Sequence, residues 1–280
     1  MARPRGGEPV TTARYRTIWV SDIHLGTRGC QARALLDFLD THECEYLYLV
    51  GDIIDFWRLK RAPHWPQLHS DVIRTVLSKA QADTTVTLVP GNHDEYLRRF
   101  CDLQFGNIMV TREAVHRTLD GRLLLVVHGD EFDGITRCHR WLAVTGDATY
   151  DALLVLNRWF NHGRRLLGLP YWSLSAYIKG KVKRAVNFVT AFETALTYEA
   201  SRRDLHGVVC GHIHRAEIRE IGGILYCNTG DWVESCTALV ERLDGSLELL
   251  RLASPDASAM ATRAVSTIGE AMPARVGARS

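Results

Sequence analysis

The chain has 280 residues, 46% apolar and 24% charged, and its 34 Lys and Arg nearly balance 32 Asp and Glu, leaving a net charge of +2. This composition excludes a disordered chain, a collagen-like fibre and a small disulfide scaffold. The length suits one α/β domain with enough chain for a core and an insertion. No run reaches the roughly 18 apolar residues needed to span a bilayer, and Met1 to Arg16 lacks the apolar segment of a secretory signal. Seven scattered cysteines without a C-x-x-C pair suit a reducing compartment and argue against structural zinc. A cytoplasmic location is expected, with peripheral contact at the inner membrane face as an option.

Residues 1–13 read as a flexible lead-in and 253–280 as a flexible tail, bracketing a domain over 14–252. Short apolar runs at Tyr15–Val20, Tyr46–Val50, Val86–Val89, Leu123–Val127 and Val208–Cys210 predict strands. Helical spacing separates them, as in Ala32–Asp40 and Asp71–Ala80, so the fold class is α/β with a largely buried sheet. After His214, the segments Arg215–Ile221, Ile224–Asn228, Cys236–Glu241 and Ser246–Leu250 predict an antiparallel closing set. Gly222-Gly223 and Asp244-Gly245 supply its hairpin turns.

The block from Gly134 to His206 differs from its surroundings. It holds 11 Lys and Arg against 5 Asp and Glu, a local balance of +6, together with Trp141, Trp159, Phe160, Tyr171, Trp172 and Tyr177. A basic, aromatic, helical block between two strands reads as an insertion or lid over a site. Within it Lys179 and Lys183 stand at i, i+4 and share a helix face, which makes them candidate diphosphate-binding residues or simply a solvated basic face. The small net charge and the absence of a nucleic-acid motif argue against DNA or RNA as a partner.

The chemistry sits just after the predicted strands, in the segments SDIH, GD, GNHD, HGD and GHIH. Ligands of open α/β sheets gather beyond the carboxyl ends of strands, where these segments converge. They offer the carboxylates of Asp22 and Asp52, the amide oxygen of Asn92, and the imidazoles of His24, His128, His212 and His214. Each short motif alone is commonplace; their joint order carries the inference. Seven ligands are too many for one tetrahedral ion, but they suit two ions about 3.5–4 Å apart. One carboxylate then has to bridge, and Asp52 is the choice. Mixed imidazole and carboxylate ligation favours Mn, Fe, Co or Zn over Mg, with two Mn2+ ions as the leading expectation.

The segments SDIHLG, GDIIDFW, GNHD, VVHGDEFD and GHIH resemble those of the calcineurin-like metallophosphoesterases. The resemblance implies a four-layer α/β/β/α sandwich with a helical insertion and a bimetallic hydrolase site. It implies one metal on Asp22, His24, Asp52 and His214 and another on Asp52, Asn92, His128 and His212. Within the family the pattern looks most like the enzymes that cleave UDP-2,3-diacylglucosamine to UMP and 2,3-diacylglucosamine 1-phosphate in lipid A biosynthesis, implying a nucleotide-linked lipid substrate. That branch carries Arg after the Asn where this chain has His93, which keeps other nucleotide or phosphodiester substrates as the alternative. A non-catalytic binding scaffold is the third reading, and the intact ligand set argues against it. His93 is expected to stabilise phosphoryl charge and to protonate the leaving oxygen, so Asn92 and His93 also count as substrate-binding candidates. Asp94 is expected either to steady the His93 ring or to cap a helix. Asp55, Asp130 and Asp133 are expected either to orient ligand histidines or to cap turns, and Asn228, Gly230 and Asp231 to lie near the site.

Overall fold

A computed structural model describes residues 12–134 and 174–252. Of the expected flexible ends, residues 1–11 and 253–280 lie outside these residues, as does most of the block 134–206, whereas Ala13 already belongs to the first strand. Helix α1 spans Ala32–Thr41, α2 Phe56–Arg61, α3 Gln67–Gln81 and α4 Leu174–Arg202. The strands are β1 Ala13–Val20, β2 His42–Val50, β3 Thr85–Val89, β4 Leu103–Phe105, β5 Ile108–Val110, β6 Ala114–Arg117, β7 Leu123–Val126, β8 Gly207–Cys210, β9 Glu217–Ile221, β10 Ile224–Asn228, β11 Thr237–Glu241 and β12 Leu247–Arg251.

The strands form two sheets. One has seven strands in the order β12-β11-β1-β2-β3-β5-β4, and the other has five in the order β6-β7-β8-β10-β9. The alternation of side chains along each strand explains how these sheets stack. In β1, Ile18 and Val20 face α1 and α3, whereas Trp19 faces the other sheet. In β7, Leu124 and Val126 meet the first sheet, whereas Leu125 packs under α4. Three apolar layers result: helices on sheet, sheet on sheet, and sheet on helix. This is the expected α/β/β/α sandwich.

Three features depart from the sequence reading. First, the closing strands are divided between the sheets. The β9–β10 hairpin edges the smaller sheet, where β10 runs parallel to β8, and the β11–β12 hairpin edges the larger one beside β1. Second, α4 supplies more than an insertion: Phe192, Leu196 and Ala200, spaced four residues apart, are buried in the outer core of the smaller sheet. From Phe192 onward the basic block is therefore one of the four layers. Third, β4, β5, β6 and α2 were not anticipated. The first two are three-residue strands at one end of the larger sheet, too short for a period to register.

A buried polar knot joins the sheets toward the start of β1. Glu241 on β11 accepts hydrogen bonds from Arg16 Nη1 (2.8 and 3.0 Å), Thr17 Oγ1 (2.8 Å) and the Leu119 amide (2.7 Å). His116 Nε2 on β6 lies 3.0 Å from the same carboxylate, and its Nδ1 meets Tyr48 Oη. Burial alone would raise the Glu241 pKa, but these partners hold it below the ordinary glutamate range. A depressed folded pKa stabilises the fold above the unfolded value, and that contribution is lost as acid protonates the native carboxylate. Glu241→Gln should therefore lower stability by about 2–4 kcal/mol near neutrality. The variant should also lose less stability than the parent below about pH 4, as measured by urea unfolding across pH.

Candidate metal centre

Asp22 and His24 follow β1, Asp52 follows β2, Asn92 and His93 follow β3, His128 follows β7, and His212 and His214 follow β8. Strands β1, β2 and β3 are mutually parallel, as are β7 and β8. Their carboxyl ends therefore meet at one edge of the sandwich. The backbone there turns sharply: Asp22, His24, Asp52, His212 and His214 adopt left-handed φ values of 50°, 54°, 54°, 70° and 54°. Such conformations cost of order 1–3 kcal/mol each in a non-glycine residue and persist where surroundings over-determine them. They reverse the chain immediately beyond a strand and aim successive side chains at the same point.

Glycines clear the space. A Cβ on Gly91 would fall on the Asp52 carboxylate, one on Gly211 would fall on that of Asp22, and one on Gly51 would enter the His128 ring. The glycines of GD, GNHD and GHIH are therefore part of the site's shape, and their place beside each ligand is a signal present in the sequence.

The carboxylates are fully buried. Asp22 Oδ2 accepts from Ser21 Oγ (2.6 Å) and the His212 amide (2.8 Å), which turns Oδ1 toward His214 Nε2 at 3.0 Å and His24 Nε2 at 3.9 Å. Asp52 Oδ1 accepts from the His93 amide (2.8 Å). Its Oδ2 then faces the Nε2 atoms of His128 (3.5 Å), His24 (3.8 Å) and His93 (3.9 Å). Burial would raise both carboxyl pKa values, but the imidazoles outweigh it and hold both groups well below the usual range. The same pairing pushes His128 up against its own burial, chiefly through Asp52.

The imidazoles are fixed from behind. His128 Nδ1 sits 2.9 Å from the Val50 carbonyl, so its Nε2 is the atom offered to Asp52. Asp55 Oδ2 lies 3.3 Å from His24 Nδ1 and 3.0 Å from His93 Nδ1, while its Oδ1 accepts the Arg58 amide and caps α2. Both expectations for Asp55 hold at once. The His93 ring packs against Trp57 at 4.3 Å, tilted by 37°, and Phe192 of α4 packs against His212.

Asp94 does neither thing expected of it. It accepts from the amides of Ile53 (2.8 Å) and Gly91 (2.6 Å), tying the GNHD turn to the GDII turn. It makes no side-chain cap to the turn that follows it. Both carboxylate oxygens of Asp130 accept from Nη2 of Arg98, and the side chain of Asp133 lies outside the described residues. Asn228 donates to the Gly211 carbonyl (2.8 Å) and accepts from the Gly230 amide (3.0 Å), bracing the GHIH loop. Asp231 closes its own turn. His69 and His116 are buried and hydrogen-bonded away from the centre. Lys179 and Lys183 fall on the first part of α4, where side chains lie outside the described residues.

Three overlapping groups bring ligand atoms within 4.8 Å of one another: Asp22, His24 and His214; His24, Asp52 and His93; and Asp52, His128 and His212. His24 Nε2, Asp52 Oδ2, Asn92 Oδ1 and His128 Nε2 are buried without a hydrogen bond. Buried polar atoms normally find partners, and this donor set, all nitrogen and oxygen, is what a divalent transition ion takes. The residues fit a metal.

The family model for the calcineurin-like phosphoesterases matches residues 15–216. The UDP-2,3-diacylglucosamine hydrolase of Neisseria meningitidis serogroup B is 26% identical over 243 residues, covering 81% of this chain and 93% of that protein. The protein of the same name from Cellvibrio japonicus is 27% identical over 203 residues, covering 71% and 82%, and that from Shewanella pealeana is 22% identical over 241 residues, covering 85% and 98%. Because the matched span contains every strand end that delivers a side chain to this buried centre, the chain belongs to the calcineurin-like phosphoesterases and is a metal-dependent hydrolase of that family.

Proposed function

We propose that this chain is a two-metal phosphohydrolase that cleaves the diphosphate of UDP-2,3-diacylglucosamine, giving UMP and 2,3-diacylglucosamine 1-phosphate. The observation that carries the two-metal part is Asp52, whose carboxylate belongs both to the group with His24 and His93 and to the group with His128 and His212. The names of the relatives support the substrate. In this reading Asp22, His24, Asp52 and His214 hold one ion and Asp52, Asn92, His128 and His212 hold the other, with manganese the leading candidate. Divalent ions at such a centre activate water near neutral pH and offset phosphoryl charge.

The chain's own residues do the rest. Asp55 fixes Nδ1 of His93, leaving Nε2 on the reacting side as a proton donor to the leaving oxygen and a stabiliser of charge on the phosphoryl group. The Ser21 hydroxyl and the His212 and His93 amides hold the outer carboxylate oxygens, so the inner ones keep one orientation. Lys179 and Lys183 are proposed to grip the diphosphate, and the aromatic block is proposed to receive the acyl chains. Among the described residues no helix is long and apolar enough to cross a membrane, and access to a lipid substrate is proposed to come through peripheral contact at the cytoplasmic membrane face.

Asp52→Asn should lower turnover by more than about 100-fold, beyond the usual cost of losing a supporting residue, and should reduce metal content as read by mass spectrometry. Full activity with a full metal complement would refute the bridging role. His93→Ala should retain both ions yet lose roughly 10²–10⁴-fold in kcat; loss of an ion would instead make His93 a ligand. A product assay with manganese should release UMP from UDP-2,3-diacylglucosamine, and Lys179→Ala with Lys183→Ala should raise KM for it. Hydrolysis of simple phosphodiesters without any release of UMP would transfer the assignment to another nucleotide or phosphodiester substrate, the reading that His93 in place of Arg favours.

A further inference from the structure

A cleft of about 520 Å³ opens from the metal centre, with His24, His93 and His214 at its inner end and Arg28, Arg58 and His64 farther out. The two arginines come from different segments that the fold stitches together. Leu25 donates to the Ile53 carbonyl (2.9 Å), and Asp55 donates back to the Leu25 carbonyl (2.8 Å). Gly26, at φ +104°, lies so close to Leu59 of α2 that a Cβ would clash with that side chain. The loop carrying Arg28 is thereby clamped against the helix carrying Arg58.

Both arginines are exposed, and among the described residues neither side chain has an ion pair or hydrogen bond. The one carboxylate among the residues lining the cleft is Asp55, whose oxygens already serve His24, His93 and the Arg58 amide. Two unpaired guanidinium groups with no competing anion beside a phosphoryl-transfer centre form a receptor for a second negative group. Guanidinium matches phosphate oxygens in a planar, two-pronged way.

We propose that Arg28 and Arg58 form a clamp for a second phosphate of the substrate, the one that is not attacked. The clamp selects substrates with two linked phosphates over simple phosphodiesters. This rests on the phosphohydrolase reading above and adds a specificity site to it, separate from the lysines of α4.

The test uses the metal-loaded protein with bis(p-nitrophenyl) phosphate, which bears one phosphate, as the reporter substrate and UDP-glucose, which bears two, as the competitor. Competition requires only binding, so UDP-glucose need not be cleaved. Replacing both arginines by alanine should raise the inhibition constant of UDP-glucose about tenfold or more relative to any change in KM for the reporter, as expected for lost charge-assisted hydrogen bonds. Lysine at both positions should recover part of the loss, since charge returns without the fork. An unchanged inhibition constant, or equal losses on both compounds, would overturn the clamp while leaving the hydrolase reading intact. Where the unmodified protein does not hydrolyse the reporter, the dissociation constant of UDP-glucose measured by calorimetry is the readout: a rise of about tenfold in the double-alanine variant supports the clamp, and an unchanged value overturns it.

Discussion

Two carboxylates without solvent exposure, Asp22 and Asp52, stand at the ends of adjacent parallel strands. Burying like charges side by side is costly unless each is hydrogen-bonded and faced by opposite charge. Nearly every feature of this edge answers that requirement. Backbone amides and a serine hydroxyl take one oxygen of each carboxylate, and imidazoles from both sheets surround the other. The geometry that keeps the acids ionised in the protein also leaves one oxygen of each directed at a common point, which is what a metal centre needs.

The supporting shell is built to hold that geometry from outside. Asp55 aligns two imidazoles and begins α2, Asp94 fastens the β3 turn to the β2 turn, and Asn228 braces the turn after β8. None of the three points at the common centre. Each joins loops that leave different strands, so displacement of one turn would be opposed by its neighbours. The left-handed residues are tolerable for this reason: their strain is spread over a connected network of amides and carboxylates.

The two sheets have separate means of attachment. At the site they meet through His128 and His212 reaching toward Asp52 and Asp22, and toward the start of β1 they meet through Glu241, Arg16 and His116. Between these lies the dry layer of Trp19, Val50, Val126, Val209 and Leu239. The apolar layer favours stacking without fixing direction, while the polar knot is directional and fixes which strands face each other.

The α/β class, the strands that lead into the site and the grouping of Asp22, His24, Asp52, His128, His212 and His214 were legible in the sequence by itself, because a buried strand is a continuous apolar run and the polar residues after it have nowhere to go but its end. His93 and Asp55 were legible for the same reason. What only the tertiary structure decided was the division of strands into two sheets, since β10 and β11 look alike as sequence and differ solely in which partner they find. The same holds for Asp94, whose neighbour in sequence is His93 but whose hydrogen-bond partners lie on the turn after β2. It holds also for Arg28 and Arg58, thirty residues apart along the chain, which share one rim because Gly26 packs on Leu59. Local pattern reports what a segment can become; long-range contact between loops is invisible to it, and that contact builds the outer part of the site.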